Sequence, residues 1–342
     1  MDTQITKANK GRRDTMDVKK IVSEVKCRIN ANGGLQQVFF VGCGGSKGAI
    51  FPGYYLLKNR AKSFGTSTYN SSEFIHELPE RLGPRSVCIC CSLKATKETV
   101  LAVEAANRAG AVTIAMTGGL DTEMANVGQY VVVYSNGPNQ IYSQSNQSYS
   151  LRLAFEILHQ FEDEQELYAA KEKAFARIDD LIVRGKGIIH DAAYAFAREN
   201  KDAAVFEVLA DGSLWGAAYS MASCHYMEMQ WKYAIPIHSG EYFHGPFETT
   251  DKALPIVLMA GTGRTRALDE RALKFIRKYA GNVLVLDCEE LGIKELPEQV
   301  AEYFCPVMMI PVEKYAVSLM AEQNGHSMDE RRYMWKLSLI HI

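Results

Sequence analysis

Long apolar runs are missing from this 342-residue chain. No stretch reaches the ~18 residues that suggest a bilayer span, and the first thirty positions carry Lys7, Lys10, Arg12, Arg13, Lys19 and Lys20 with no apolar segment behind them. Neither a membrane span nor a secretory leader is expected, and the expected compartment is the cytoplasm. Excess charge of one sign is missing too: 38 Lys+Arg face 40 Asp+Glu, for a net charge of -2. That excludes a global basic field for nucleic acid or an anionic membrane, so any phosphate site must be built from local donors. Proline is scarce at 10 residues, and 47% hydrophobic with 23% charged residues excludes disordered and fibrous classes. Cofactor fingerprints are also lacking. G-x-G-x-x-G counted from Gly42 needs glycine where Lys47 stands, and Gly-Lys-Ser or Gly-Lys-Thr occurs nowhere. No cofactor is expected.

The 8 cysteines, Cys27, Cys43, Cys88, Cys90, Cys91, Cys224, Cys288 and Cys305, fall mostly in apolar runs and read as reduced core residues. Cys88 and Cys91 have C-x-x-C spacing, but no second Cys or His pair completes a zinc site, and alternate residues of V-C-I-C-C face opposite sides of a strand. No metal is expected.

What is present is an α/β alphabet. Val18, Ile21, Val22, Val25 and Ile29 recur at helical spacing, and residues 1–30 read as an N-terminal helical segment. The strand Val38–Val41 runs through Gly42-Cys43-Gly44-Gly45-Ser46 into a helix. Strands follow at Ser86–Cys91, Val112–Met116 and Val131–Tyr134, alternating with helices. Short apolar strands in that order predict a parallel sheet covered on both faces. A helical, charge-rich stretch then leads to about Asn200, after which the alphabet restarts. Val205–Ser213 lies on Val38–Ser46 at an offset of 167 residues, and Ser239–His244 lies on Ser71–His76 at 168, which points to an internal duplication. The expected divisions are a first domain at 31–165, a helical connector at 166–200, a second domain at 201–325 and a tail at 326–342.

Ligands of open parallel sheets bind at the strands' carboxyl ends, where glycine turns let a phosphate reach backbone N–H groups. Gly44, Gly45 and Ser46 meet that need. The next strand ends in Ser92-Leu93-Lys94-Ala95-Thr96-Lys97, with hydroxyls at Ser92, Thr96 and Thr99 and another helix start. Tight strand–helix packing explains the glycine turn alone and helix capping the Ser/Thr loop alone; together they predict a phosphate monoester site. In the second half, Glu228 lies in the helical stretch SMASCHYMEMQW among apolar residues on more than one face. Burial there would raise its pKa toward neutrality, as a base acting on a carbon acid requires. His244 precedes the turn Gly245-Pro246, with Glu241 as a residue that could orient its ring or cap the next element and Glu248 as a second carboxylate.

GCGGS, the loop SLKATKET, and a Glu sixteen residues before the His of an H-G-P turn resemble the sugar isomerase (SIS) domain proteins. VFFVGCGGS, MEMQW, SGEYFHGPFE, DERALKFIRKYAGNVLVLD and RRYMWK most resemble the fructosamine-6-phosphate deglycases, over nearly the whole chain. The resemblance implies two tandem flavodoxin-like SIS domains and a homodimer or higher homo-oligomer. It implies phosphate binding by Gly45, Ser46, Ser92 and Thr96, and catalysis by Glu228 and His244, with Lys94 and Glu241 in support. The substrate would be a phosphorylated sugar-amine, cleaved by water to glucose 6-phosphate and a free amine or amino acid. The loop Ser92–Thr96 is one residue shorter than the S-x-S-G-x-T form of relatives and lacks its inner Ser-Gly; Lys94 would supply charge there. Two other activities share this machinery, a sugar-phosphate aldose–ketose isomerase and a non-catalytic sugar-phosphate sensor. A glutamine-dependent synthase needs an N-terminal glutaminase domain, and a DNA-binding sensor a helix-turn-helix; the residues before the first strand predict neither.

Overall fold

The computed structural model describes residues 17–336; the expectations for residues 1–16 and for the Leu337–Ile342 ending lie outside them. The chain divides into two compact units, one reaching Tyr168 and the other starting at Ala169.

The first unit opens with helix α1 (Val18–Asn30), capped by the Asp17 carboxylate and burying Ile21, Val22, Val25 and Ile29 as their spacing predicts. Cys27 is a correction to the core assignment of the cysteines: it is exposed, because it falls beside Arg28 on the face opposite the apolar stripe. Strand β1 (Gln37–Gly42) then leads into α2 (Gly44–Arg60). After it come β2 (Gly65–Tyr69), α3 (Ser71–His76), β3 (Ser86–Ser92), α4 (Lys97–Arg108), β4 (Val112–Thr117), α5 (Glu123–Val127), β5 (Tyr130–Val133) and α6 (Asn146–Glu162). The five strands are parallel, in the order β2-β1-β3-β4-β5. Every residue of β1, β3 and β4 is buried, as a sheet with both faces covered demands. Only β2 goes beyond the strands read from sequence; GTSTY is half-buried throughout and occupies the edge, where a polar strand is tolerated.

Helix α7 (Glu166–Asn200) carries the chain into the second unit, with Phe175 edge-on to Phe304 and Phe196 against Phe206. The further elements are β6 (Val205–Ala210), α8 (Trp215–Tyr219), a π-helical stretch (Ser220–Glu228), β7 (Tyr233–His238), β8 (Pro255–Ala260), α9 (Arg266–Tyr279), β9 (Asn282–Asp287) and α10 (Glu298–Asn324). Four parallel strands stand in the order β7-β6-β8-β9, the first unit's order without its last strand. The fold is therefore α/β, two tandem units of one topology.

The structural register of the repeat is 168 residues from its first strand through its first glycine turn. Gln37 and Val205 start equivalent strands, Cys43 and Asp211 precede the next helical turn, and Gly44 and Gly212 both take φ +51°. The offset of 167 at the first glycine turn is thus one residue short: it aligned Gly45 with Gly212, whereas the left-handed glycine required by the turn is Gly44. Among the described residues, α10 alone is long and apolar enough to cross a bilayer by length and composition, and most of its apolar window is buried within the second unit.

Candidate functional site

In a 2-1-3-4-5 sheet the connections part company between β1 and β3, and the crevice beyond their carboxyl ends is where ligands bind. Gly42 ends β1 there. A Cβ at that position would lie 3.2 Å from the Cys91 carbonyl and 3.3 Å from the Lys47 nitrogen, so any larger residue would push the backbone of the crevice apart by a few tenths of an ångström. Gly44 starts α2, Gly45 is exposed, and Ser46 is half-buried with its hydroxyl bonded to the Cys91 thiol. That thiol is pushed up to about 12, chiefly by burial, and is an inert neutral group.

Across the crevice, Ser92 Oγ accepts the Thr96 N–H at 2.9 Å and closes the loop before α4. Thr96 Oγ1 lies 3.1 Å from Thr99 Oγ1, which lies 2.9 Å from Ser71 Oγ at the start of α3. Ser71 N–H in turn donates to Cys43 Sγ at 3.3 Å. One hydroxyl network therefore links the carboxyl ends of β1 and β3. Ser71 and Thr99 form its buried back, while Thr96 and Lys94 are exposed at its mouth. Ala95 turns this loop in a left-handed conformation, φ +52°, and thereby occupies the backbone geometry for which glycine is the ordinary choice. Cys88 Sγ sits 3.5 Å from Cys90 Sγ on one face of β3, whereas Cys91 meets Ser46 on the other.

Glu228 ends the π-helical stretch. Its surroundings differ from the buried, desolvated carboxylate expected. The side chain is about one-fifth exposed, and Arg331 Nε donates to its Oε1 at 2.8 Å. Arg331 is itself buried and also donates to the carbonyls of Met328 and Glu330. The apolar residues around Glu228 in sequence do not enclose it, because successive residues of the helical stretch point in different directions round its axis; Tyr226 stacks on Phe206 with centroids 4.5 Å apart. Next to it, His225 Nδ1 meets the wholly buried Glu313 at 2.8 Å, and burial raises the Glu313 carboxyl above its ordinary range. Arg331 and Glu313 were not among the residues singled out from sequence; they lie 103 and 88 positions from their partners, with no local pattern to reveal them.

His244 closes a short 3-10 turn, Tyr242–His244, and is exposed. Its N–H donates to the Glu241 carbonyl at 2.9 Å, a main-chain link that sets the turn. Gly245 follows at φ +138°, a conformation open essentially to glycine alone, then Pro246–Thr249 makes a second 3-10 turn. Glu241 and Glu248 are exposed. Phe243 and Phe247 pack with Phe275 on the side of the sheet that Leu209 faces.

Glu228 and His244 are therefore not together within one chain. Phe206, which Tyr226 covers, and Glu207, which Thr249 of the histidine loop reaches, are adjacent on β6 and so face opposite sides of the sheet.

No protein-family model matches the chain. It is 35% identical over 307 residues to the fructosamine deglycase FrlB of Bacillus subtilis (strain 168), covering 89% of this chain and 92% of the relative. It is 22% identical to a fructoselysine 6-phosphate deglycase of Escherichia coli (strain K12), covering 87% of this chain and 85% of the relative. A crystal structure from Salmonella typhimurium, described as a candidate phosphosugar isomerase, superposes with a TM-score of 0.89 at 37% identity, covering 94% of this chain and 98% of that one. With such identity running through both units, the chain belongs to the fructosamine deglycase family.

Proposed function

We propose that this enzyme hydrolyses a fructosamine 6-phosphate, such as fructoselysine 6-phosphate, to glucose 6-phosphate and a free amine or amino acid. The observation that carries this reading is the full-length kinship with the Bacillus subtilis deglycase. The hydroxyl network at the β1/β3 switch point supports the phosphate half of it: Gly45, Ser46, Ser92 and Thr96 offer backbone and hydroxyl donors near two helix starts, and Lys94 adds positive charge.

In this reading His244, as the acid, opens the sugar ring. Glu228 moves a proton between C1 and C2, giving an enaminol and then an imine at C1, which water hydrolyses. Arg331, bonded to Oε1, orients the carboxylate so that Oε2 takes the proton. No cofactor takes part in these steps. Because the sheet separates Glu228 from His244 within a chain, a second copy supplies the imidazole, and the working unit is a homodimer or a larger homo-oligomer in the cytoplasm.

The test combines two inactive chains. Glu228→Gln and His244→Ala are each expected to lower turnover of a 6-phosphorylated fructosamine by roughly 10²–10⁴-fold. Co-folded together, they should regain about a quarter of wild-type turnover, since half the dimers are mixed and each mixed dimer has one intact site. Full turnover by Glu228→Gln would remove the carboxylate from the mechanism, and absence of rescue would remove the shared site. Release of a ketose or aldose phosphate without amine would favour the isomerase.

A further inference from the structure

The loop that presents His244 is held by a buried carboxyl the reaction itself does not use. Glu207 lies in the middle of β6, is only 3% exposed, and is flanked across the sheet by Ile235 of β7 and Ile256 of β8. Its Oε1 is 2.6 Å from Thr249 Oγ1, and that same hydroxyl is 2.6 Å from the Pro246 carbonyl. A threonine hydroxyl has one proton, so it cannot donate to both oxygens. Both contacts are satisfied when Glu207 carries the proton: Oε1–H donates to Thr249 Oγ1, which donates to Pro246. Glu207 Oε2, buried and without a hydrogen-bond partner, agrees with this, since a neutral carboxyl leaves a far smaller unpaired charge there than a carboxylate.

We propose that Glu207 is a positioning residue whose proton completes a chain, Glu207 to Thr249 to Pro246, that fixes the turn presenting His244. The functional importance of that turn rests on the role assigned to His244 above. The same loop is pinned a second time by the hydroxyl pair of Tyr242 and Thr250, so the Glu207 chain sets the angle of the Gly245-Pro246 corner and does not carry the whole loop.

Burial raises the Glu207 carboxyl above its ordinary range; the Thr249 hydroxyl opposes the shift and Asp251 adds to it. Tyr242 is the other ionisable group bearing on Glu207, and burial with this carboxyl raises the phenol as well. The sign follows directly. A group whose folded-state pKa is raised contributes its full stability below the unfolded value, near 4.5, and loses it as pH climbs through the raised folded value. The latch is thus closed in acid and opens toward alkaline pH, when an ionised Glu207 draws the threonine proton away from Pro246.

The experiment compares wild type, Glu207→Gln, Glu207→Ala and His244→Ala in the full chain. Turnover of a 6-phosphorylated fructosamine is followed against pH, and amide hydrogen exchange is followed over residues 245–250. Glu207→Gln replaces the O–H donor by an N–H donor that does not titrate. It should keep wild-type kcat within about twofold in acid, and both its kcat and its exchange protection should hold as pH rises. Glu207→Ala should lower kcat about tenfold with little change in KM and speed exchange across the Gly245-Pro246 corner. If Glu207→Ala left exchange and kcat as in wild type while His244→Ala abolished turnover, the latch would be overturned and the assignment of His244 kept. If His244→Ala kept full turnover, the role of His244 would fall, and exchange alone would decide the latch. Should Glu207→Ala fail to fold, the same alkaline loss of protection in wild type and in Glu207→Gln would overturn it.

Discussion

The two units place equivalent turns at the carboxyl ends of equivalent strands and give them opposite chemistry. In the first unit β1 and β3 end in hydroxyls: Ser46, Ser92, Thr96, Thr99 and, from α3, Ser71. In the second, Asp211 follows β6, where the first unit has Cys43. Ser239 takes the place of Ser71, and its hydroxyl is consumed by Asp269 at 2.6 Å. Asp211 and Asp269 are both buried, with Asp211 Oδ2 unpartnered, and burial raises both carboxyls, Asp269 to about 7. Buried carboxyls disfavour a phosphate dianion, so the proposed anion site has its scaffold in both copies and its hydroxyl donors in one. Fold and site are separate properties of the chain.

Placing a carboxylate in the first unit's hydroxyl network, the kind of group the second unit carries at its strand ends, gives the largest expected effect. Ser92→Asp puts a carboxylate where, in the proposed site, a donor would face the phosphate, and like charges at such range cost several kcal/mol. KM for a 6-phosphorylated fructosamine should rise at least ~100-fold, whereas Ser92→Ala should cost about tenfold by losing one charge-assisted hydrogen bond. Equal KM values for the two variants, measured in steady state, would show that no phosphate approaches Ser92.

A middle-sized effect comes from the second unit. Asp269 accepts from Ser239 Oγ at 2.6 Å and faces the Gly261 N–H at 3.4 Å, while burial, then Asp211, pushes it up to about 7 and Arg266 opposes the shift. Its raised value means that its stabilising contribution is whole in acid and lost as pH rises through about 7. Asp269→Asn imitates the neutral form. Urea unfolding should find the variant gaining on wild type by on the order of 2–3 kcal/mol between pH 5 and pH 8. Stability curves that stay parallel across that range would show that Asp269 does not titrate there.

These contrasts also show what the chain reveals when read in one dimension. Strands buried on both faces, such as VFFV and SVCICC, announce themselves because a covered parallel sheet wants unbroken apolar runs. The edge strand GTSTY does not, since half-burial lets polar residues stand where apolar ones usually mark a strand. The glycine turns and the hydroxyl loop were legible as structures because the residues that build them are adjacent in the chain. What stayed hidden was long-range. The partner of Glu228 comes from 103 residues downstream, and Thr249 finds Glu207 42 residues upstream. The separation of Glu228 and His244 needed the sheet itself, because facing is decided by strand alternation at Phe206 and Glu207 and by nothing near either site residue.

The smallest effect lies in the backbone of the two glycine turns and the one loop that lacks glycine. Gly44 and Gly212 share φ +51°, and Ala95 adopts φ +52° with a side chain attached. An L-residue in that region costs roughly 1–2 kcal/mol, and replacing it by glycine returns part of the gain through the freer unfolded chain, about 0.4–1 kcal/mol. Ala95→Gly should therefore stabilise the first unit by about 0.5 kcal/mol. Gly212→Ala, the reverse change at the same φ in the second unit, should destabilise by about 1 kcal/mol, as read by denaturant midpoint with an unchanged m-value. If Ala95→Gly instead destabilised by more than the glycine entropy allows, the Ala95 methyl would be packing against the loop. The Ser92–Thr96 loop would then be a distinct structure with its own contacts, unlike a loop that has merely lost its glycine.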